Sequence, residues 1–378
     1  MTRPFGVYIH VPFCASRCGY CDFNTYTPGE LGSSASVPEY LVALRRELEL
    51  AAETGNTRPA ETVFVGGGTP SMLGGELVRV LEYVRETIGL APGAEVTTES
   101  NPESTSPELF AALRAAGFTR ISLGMQSAAP HVLRVLERRH TPGRAVAAAR
   151  EATRAGFAHV NLDMIYGTPG ETDDDVRATL DAVLSAGVDH VSAYSLIVED
   201  GTAMARKVRR GEIPAPDEDV LAHRYGLIDA ALRDAGFQWY EVSNWARLGG
   251  ECRHNLGYWR DGDWWGAGPG AHSHVGDSRF YNVKHPARYA ALCAQGRLPI
   301  QEAETLSAHD RHVERVMLGL RLREGIPAGM LGAGGLAVVE DYCARGLLRR
   351  AAGSRIALTE AGRLLADGIV ADILLGDD

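Results

Sequence analysis

The chain has 378 residues, 45% of them hydrophobic and 23% charged, with a formal net charge of −10. That length fits roughly two to three domains of about 150 residues, or one large α/β barrel with additions. The acidic balance argues against nonspecific nucleic-acid binding, which needs a basic surface, and no stretch reaches the ~18 apolar residues of a membrane span.

The opening MTRPFGVYIHVPF lacks the apolar run and cleavage site of a signal peptide, so a cytoplasmic location is expected. From residue 6 to about 199 an apolar, β-rich run recurs, usually followed by a helical pattern. The expected strands cover 6–13, 61–68, 94–100, 120–127, 159–167 and 190–199. The expected helices cover 38–53, 74–89, 106–116, 129–156 (split at Pro142) and 172–186. Ser106-Pro107-Glu108 and the acid-loaded Thr172–Asp175 mark helix starts. Gly117 and Gly156 suit left-handed C-terminal caps. Six βα units in series mean a parallel sheet, open or closed into a barrel. Several strands turn polar at their C-terminal ends, at Glu99, Asn101, Gln126, Ser127, Asn161 and Asp163, which is where a (β/α) barrel binds ligands.

Beyond the sixth unit, a helix is expected around 217–235. Residues 246–285 read as an irregular region rich in Gly and aromatics, too long for an idle loop. After about 300 the pattern becomes helix, two short strands and helix, in the style of a winged helix. Three parts are therefore expected: a barrel over 1–245, a connecting region over 246–300 and a C-terminal α+β extension over 301–378.

Three of the six cysteines, Cys14, Cys18 and Cys21, lie within eight residues on the loop leaving the first strand. The other three are scattered and read as free, mostly buried thiols. A structural zinc site needs a fourth ligand. His10 is the candidate, though its place inside a strand makes it awkward. A cubane cluster needs only the three cysteines and keeps one iron open. Gly66-Gly67-Gly68-Thr69-Pro70-Ser71 follows the second strand. By itself it is either a tight turn or a place where backbone approaches a polar ligand. His254-Asn255-Leu256-Gly257-Tyr258-Trp259 is either an aromatic plug on the open side of the barrel or a haem contact.

The Cys-x3-Cys-x2-Cys spacing with Tyr20 before the third cysteine resembles the radical SAM superfamily signature. YIHVPFC and GGGTPS narrow the resemblance to its coproporphyrinogen-dehydrogenase-like subgroup. The resemblance runs from about residue 6 through the C-terminal tail and implies a partial (β/α)6 TIM-like barrel. It implies a [4Fe–4S] cluster on Cys14, Cys18 and Cys21. S-adenosylmethionine (SAM) would lie along Gly67, Gly68, Thr69, Glu99, Gln126, Arg138 and Asp163, with Tyr20 by the adenine and Tyr8 facing the ligand. A reductant such as flavodoxin or ferredoxin would supply electrons. HNLGYW, followed by GAGPGAHS (266–273), is similar to the HNxxYW region of the HemW-type haem chaperones. That branch implies haem as cargo, His254 as a haem ligand and respiratory haem proteins as recipients, with peripheral membrane contact compatible. Asp22-Phe23 stands where the oxygen-independent coproporphyrinogen III oxidases carry a further cysteine, and their long N-terminal extension is missing. Both departures count against porphyrinogen decarboxylation, and no catalytic residue is assigned.

Overall fold

The computed structural model describes residues 3–31 and 36–377. The six expected strands are present as β1 (Phe5–Val11), β2 (Ala60–Gly67), β3 (Leu90–Ser100), β4 (Arg120–Gln126), β5 (His159–Tyr166) and β6 (His190–Ser195). They pair in sequence order, all parallel. Helices cross over between them: Val37–Glu53, Glu76–Thr87, Pro107–Ala116, Arg144–Arg154 and Asp173–Ser185. The expected start signals act as read. Ser106 accepts from the Leu109 N–H, and Thr172 forms a reciprocal cap with Asp175.

Each strand buries two different faces. Val7, Ile9, Val63, Val65, Ile121 and Leu162 face the helices and join Leu44, Leu48, Leu77 and Leu81 in one apolar core. The alternate residues face inward and are polar and buried: Thr62, Glu95, Thr97, Arg120, Ser122, Asn161, His190 and Ser192. Period-two alternation thus gives an oily outer layer and a polar lumen.

The region expected to be irregular is largely ordered. Residues Arg253–Trp259 form a short helix, and β9 (Asp263–Ala267), β10 (His272–Val275) and β11 (Ser278–Asn282) extend the sheet, with β12 (Ile300–Thr305) at that edge. β9 pairs parallel with β1, so the parallel part has a seventh strand, and β10 to β12 continue antiparallel. The glycines here serve close packing rather than strand breaking. A Cβ on Gly266 would lie 2.1 Å from the His272 carbonyl oxygen. At the other edge, β7 (Gln238–Glu241) and β8 (Asn244–Ala246) add antiparallel strands beside β6. The large sheet ends at β12 and β7, so the barrel is partial.

The C-terminal segment packs the helices Ala308–Gly319, Ala333–Ala344 and Ala366–Asp377 around a core of its own that includes Val316, Val339, Ile356 and Ile373. The two expected strands, β14 (Leu348–Ala351) and β15 (Arg355–Leu358), gain a third, β13 (Ile326–Pro327), in the order β13-β15-β14. Ion pairs fasten this segment to the barrel: Arg363 to Asp229 at 3.0 Å and Arg311 to Asp261 at 2.7 Å.

Glu47, buried on the first crossover helix, pins the added edge to the barrel. It accepts from the Gly268 N–H at 2.8 Å, the Asn282 amide at 2.6 Å and the Tyr289 hydroxyl. Burial pushes its carboxyl up to about 7 despite these three donors. The folded state therefore keeps a proton that the unfolded chain releases near pH 4.5, so stability falls as pH rises from there through about 7 and then levels off. Urea unfolding should show a loss of about 3 kcal/mol across that window, absent in Glu47→Gln. An identical slope in the variant would contradict this.

Candidate metal and cofactor site

The loop carrying Cys14, Cys18 and Cys21 leaves the C-terminal end of β1. It has little regular structure, and its neighbours hold it in place. The Cys14 N–H donates to the Tyr26 carbonyl at 3.0 Å, and the Tyr26 N–H to Pro12 at 2.7 Å. At its tip the Gly19 N–H donates to Leu136 at 3.3 Å, and the Gly19 carbonyl accepts from Met204 at 2.8 Å. Asn24 donates to the carbonyls of Pro269 and Lys284, joining the loop to the β9–β11 edge. His10 spends both ring nitrogens inside the fold, on the Tyr8 hydroxyl at 3.0 Å and the Asn24 carbonyl at 2.9 Å. The zinc alternative thereby loses its fourth ligand. Among the described residues no three His, Cys, Asp or Glu side chains converge on a single metal-ion position. A cubane makes no such demand, because each of its cysteines binds a different iron.

The thiols are free; Cys14 is buried, while Cys18 and Cys21 are half-buried. Burial pushes the Cys14 and Cys21 thiols up. Against this, Thr69 donates to the Cys14 sulfur at 3.6 Å and the Arg138 guanidinium to the Cys18 sulfur at 3.4 Å. Donors aimed at thiol sulfurs favour thiolate, the form that binds iron.

The glycine loop at the end of β2 lies directly against this loop. Gly68 N–H donates to Val11 at 2.8 Å and Thr69 N–H to Phe13 at 2.7 Å. Gly67 adopts φ +107°, a left-handed backbone that favours glycine, and a Cβ there would meet the His10 ring at 2.6 Å. A Cβ on Gly68 would lie 2.4 Å from the Phe13 carbonyl oxygen and 3.0 Å from the Cys14 sulfur. The glycines thus serve a close approach of the β2 end to the cysteine loop of the chain itself.

The remaining expected residues gather at the same rim. Glu99 accepts from the Gly67 N–H at 3.0 Å, and its carboxyl is pushed up to about 8, first by burial and then by the nearby Asp163. Asp163 is also raised by burial, offset by hydrogen bonds from Ser122 at 2.9 Å and Asn161 at 2.7 Å. Gln126 sits at a bulge with φ 67°, and its side chain and that of Arg138 both cross over Gly124, where a Cβ would clash with each. Arg138 also donates to the Gly124 carbonyl at 3.1 Å, while its Nε is buried with no partner. Tyr20 packs beside Leu136 and Leu196 in a small apolar cluster, where burial raises its hydroxyl pKa. Tyr8 lies one inward position below the rim, stacked on Phe64. Tyr194, not singled out from the sequence, reaches the same region: burial of its hydroxyl, and then the charges of Asp163 and Glu241, raise its pKa, although the residue as a whole is 43% exposed. Its signal was available, since His190, Ser192 and Tyr194 alternate as an inward polar face.

His254 lies elsewhere. It packs against Thr62 and Gly6, at the N-terminal ends of β2 and β1, roughly 16 Å from Gly67 at about 3.3 Å of rise per residue. Its Nδ1 bonds the Thr62 hydroxyl at 2.8 Å and its Nε2 the Tyr258 hydroxyl at 2.7 Å. The ring stacks on Phe64 and burial lowers its pKa to about 3. Asn255 and Trp259 lie beside the buried Glu241, whose carboxyl is raised by burial and held back in part by neighbouring donors, first Asn244. Both ring nitrogens of His254 are thus engaged by side-chain hydroxyls at the N-terminal end of the barrel. A shallow cleft of about 160 Å³ beside it is lined by residues that include Arg253, His254, Tyr258, Arg260 and Trp264. Rim and plug are linked internally: Asp163 to Asn161, Asn161 to His190 at 2.8 Å, His190 to Tyr240 at 2.7 Å, and Tyr240 to the Cys252 N–H at 3.2 Å.

Comparison with known proteins agrees with this geometry. The family profile described as "Radical SAM superfamily" matches residues 8–183. "Heme chaperone HemW" of Mycobacterium tuberculosis (strain ATCC 25618 / H37Rv) is 61% identical over 373 residues, covering 98% of this chain and 95% of that protein. "Heme chaperone HemW" of Bacillus subtilis (strain 168) is 32% identical, covering 96% and 97%. Among solved structures, the coproporphyrinogen III oxidase HemN from Escherichia coli, described as a radical SAM enzyme, superposes with a TM-score of 0.84. It is 25% identical and covers 98% of this chain and 90% of that one. With its cysteine loop, glycine loop and near-full-length relatives, the chain belongs to the HemW family of the radical SAM superfamily.

Proposed function

We propose that the chain is a radical SAM haem chaperone: it holds a [4Fe–4S] cluster on Cys14, Cys18 and Cys21, binds SAM across the barrel rim, and carries haem to respiratory haem proteins. The observation that carries the chaperone reading is the 61% identity to a protein named heme chaperone HemW. The cluster reading is supported by three thiols on one loop, two of them met by donors. When bound, the cluster and SAM together supply reductive cleavage of the sulfonium C–S bond and a 5′-deoxyadenosyl radical.

The chain's own residues would do the holding. Gly67, Gly68 and Thr69 offer backbone polar groups with no Cβ in the way. The Glu99 and Asp163 carboxyls can accept from an ammonium group or ribose hydroxyls, and Arg138 can pair with a carboxylate. Gln126 adds a neutral amide beside Arg138, Tyr20 packs by the adenine, and Tyr8 faces the ligand from below. For haem, the cleft beside His254 offers Tyr258 and Trp264 as aromatic surface. Ligation through His254 would break its bonds to Thr62 and Tyr258, at a net cost of about 1 kcal/mol each. The free thiols and acidic charge fit a cytoplasmic location. No helix among the described residues is long and apolar enough to cross a membrane.

Porphyrinogen oxidation is the second reading, favoured by the fold match to the Escherichia coli oxidase. Anaerobic incubation with SAM, a reductant and coproporphyrinogen III separates the two. Stoichiometric haem binding without protoporphyrinogen is expected; catalytic protoporphyrinogen formation would overturn the chaperone assignment.

Two substitutions test the sites. Gly68→Ala should drive the two loops apart and reduce bound iron and the ~400 nm band by more than half after anaerobic reconstitution. Wild-type iron content would show that the close approach is not required. His254→Ala should lose the Soret shift that haem produces in wild type. An unchanged Soret band and stoichiometry would remove His254 as a ligand.

A further inference from the structure

A radical SAM cluster receives its electron from outside the chain, so the surface where it comes nearest to solvent is a functional surface. Cys14 is buried, whereas Cys18 and Cys21 are half-buried, so that approach lies over the second half of the cysteine loop. Two segments flank it and bond directly to Gly19 at its tip, one through the Leu136 carbonyl and one through the Met204 N–H. These segments, Arg134–His140 and Ala203–Gly211, hold seven cations (Arg134, Arg138, Arg139, Arg206, Lys207, Arg209, Arg210) and one carboxylate, Glu137, in a chain whose net charge is −10. Local charge thus runs against the charge of the whole.

Arg138 points inward to the Cys18 sulfur, and Lys207 pairs with Glu137 at 2.6 Å. Arg209 and Arg210 pair with the exposed Asp200 and Glu212, contacts worth little in water. Arg134, Arg139 and Arg206 are exposed and take part in no ion pair among the described residues. Phe23, two residues beyond Cys21, is 59% exposed and gives the same loop an apolar point. A small contact in which charge sets the association rate more than the affinity is the form of transient electron-transfer encounters.

We propose that this basic face is the docking surface for an acidic one-electron donor protein. The inference rests on the cluster reading above and adds the face on which its electron donor docks. One electron passes from the reduced donor to the oxidised cluster; the donor is oxidised, the cluster reduced, and no bond is made or broken.

The test uses the full chain with its cluster reconstituted anaerobically, reduced in separate arms by a reduced acidic [2Fe–2S] ferredoxin and by the methyl viologen radical cation. Wild-type reduction by ferredoxin should slow at least tenfold between about 20 and 300 mM salt. The Arg134→Glu/Arg139→Glu/Arg206→Glu variant should be slower with ferredoxin by a further tenfold or more at low salt, with viologen reduction unslowed. The milder Arg→Gln triple should fall between. Calorimetric titration with oxidised ferredoxin should show the same order of weakening with no electron transfer involved. Salt-independent reduction by ferredoxin, or equal rates in wild type and the glutamate triple, would overturn the proposal. So would charge-dependent binding to phosphatidylserine vesicles with no ferredoxin effect, which would make the face a membrane contact. A chain that viologen cannot reduce at all would instead overturn the cluster reading.

Discussion

A loop with little regular structure is held in place because the end of β2 carries no side chain where it passes. Gly67 and Gly68 let the β2 backbone close on Val11 and Phe13, and from that contact Thr69 reaches the Cys14 sulfur. A methyl group at Gly68 would occupy the place of the Phe13 carbonyl oxygen. The same device recurs on the far side of β1. Cβ atoms on Gly268 and Gly270 would run into the His10 carbonyl and the Asn24 amide. The cysteine loop is thus clamped between two glycine-rich turns, one from each neighbour of β1. Backbone proximity, rather than apolar burial, fixes where the three sulfurs sit.

Below that clamp the barrel is a polar column with different chemistry at its two ends. The upper end collects Glu99, Asp163, Gln126 and Arg138 around the cysteines. The lower end is closed by the helix of His254, whose N-terminus rests on Glu95, itself paired with the buried Arg120 at 3.1 Å. Buried polar groups are costly unless partnered, and most of the column is, while Thr97 Oγ1, Ser100 Oγ and one nitrogen each of Arg120 and Arg138 have no protein partner among the described residues. The continuous hydrogen bonds from Asp163 to the Cys252 N–H give both ends a shared scaffold. The cysteine loop with its rim residues and the 254–259 segment therefore lie at opposite mouths of one barrel.

Much of this was legible in the chain, for identifiable reasons. The cysteine spacing stands out without a structure because three thiols so close on one loop point to metal chemistry, whereas the glycine loop and the rim residues were read through the family resemblance. The crossover helices carry their own caps at Ser106 and Thr172. The edge strands β9 to β11 were not legible, because their glycines are demanded by neighbouring backbone and look like turn signals from within the segment. The inward turn of His254 was equally hidden, since it depends on Thr62, far away in sequence. Glu241, which gathers Asn255 and Trp259, gave no signal of its own. The helix Ala203–Arg209 was also missed; it is short, and only its bond to Gly19 reveals why it matters.

The central claim is that the three cysteines hold a cluster with one iron left open to SAM. Electron paramagnetic resonance of the reduced, anaerobically reconstituted protein, recorded with and without SAM, addresses it directly. The account predicts an S = 1/2 [4Fe–4S]⁺ signal whose g values shift when SAM is added. A signal indifferent to saturating SAM, or no cluster signal from a protein that instead retains zinc, would contradict it.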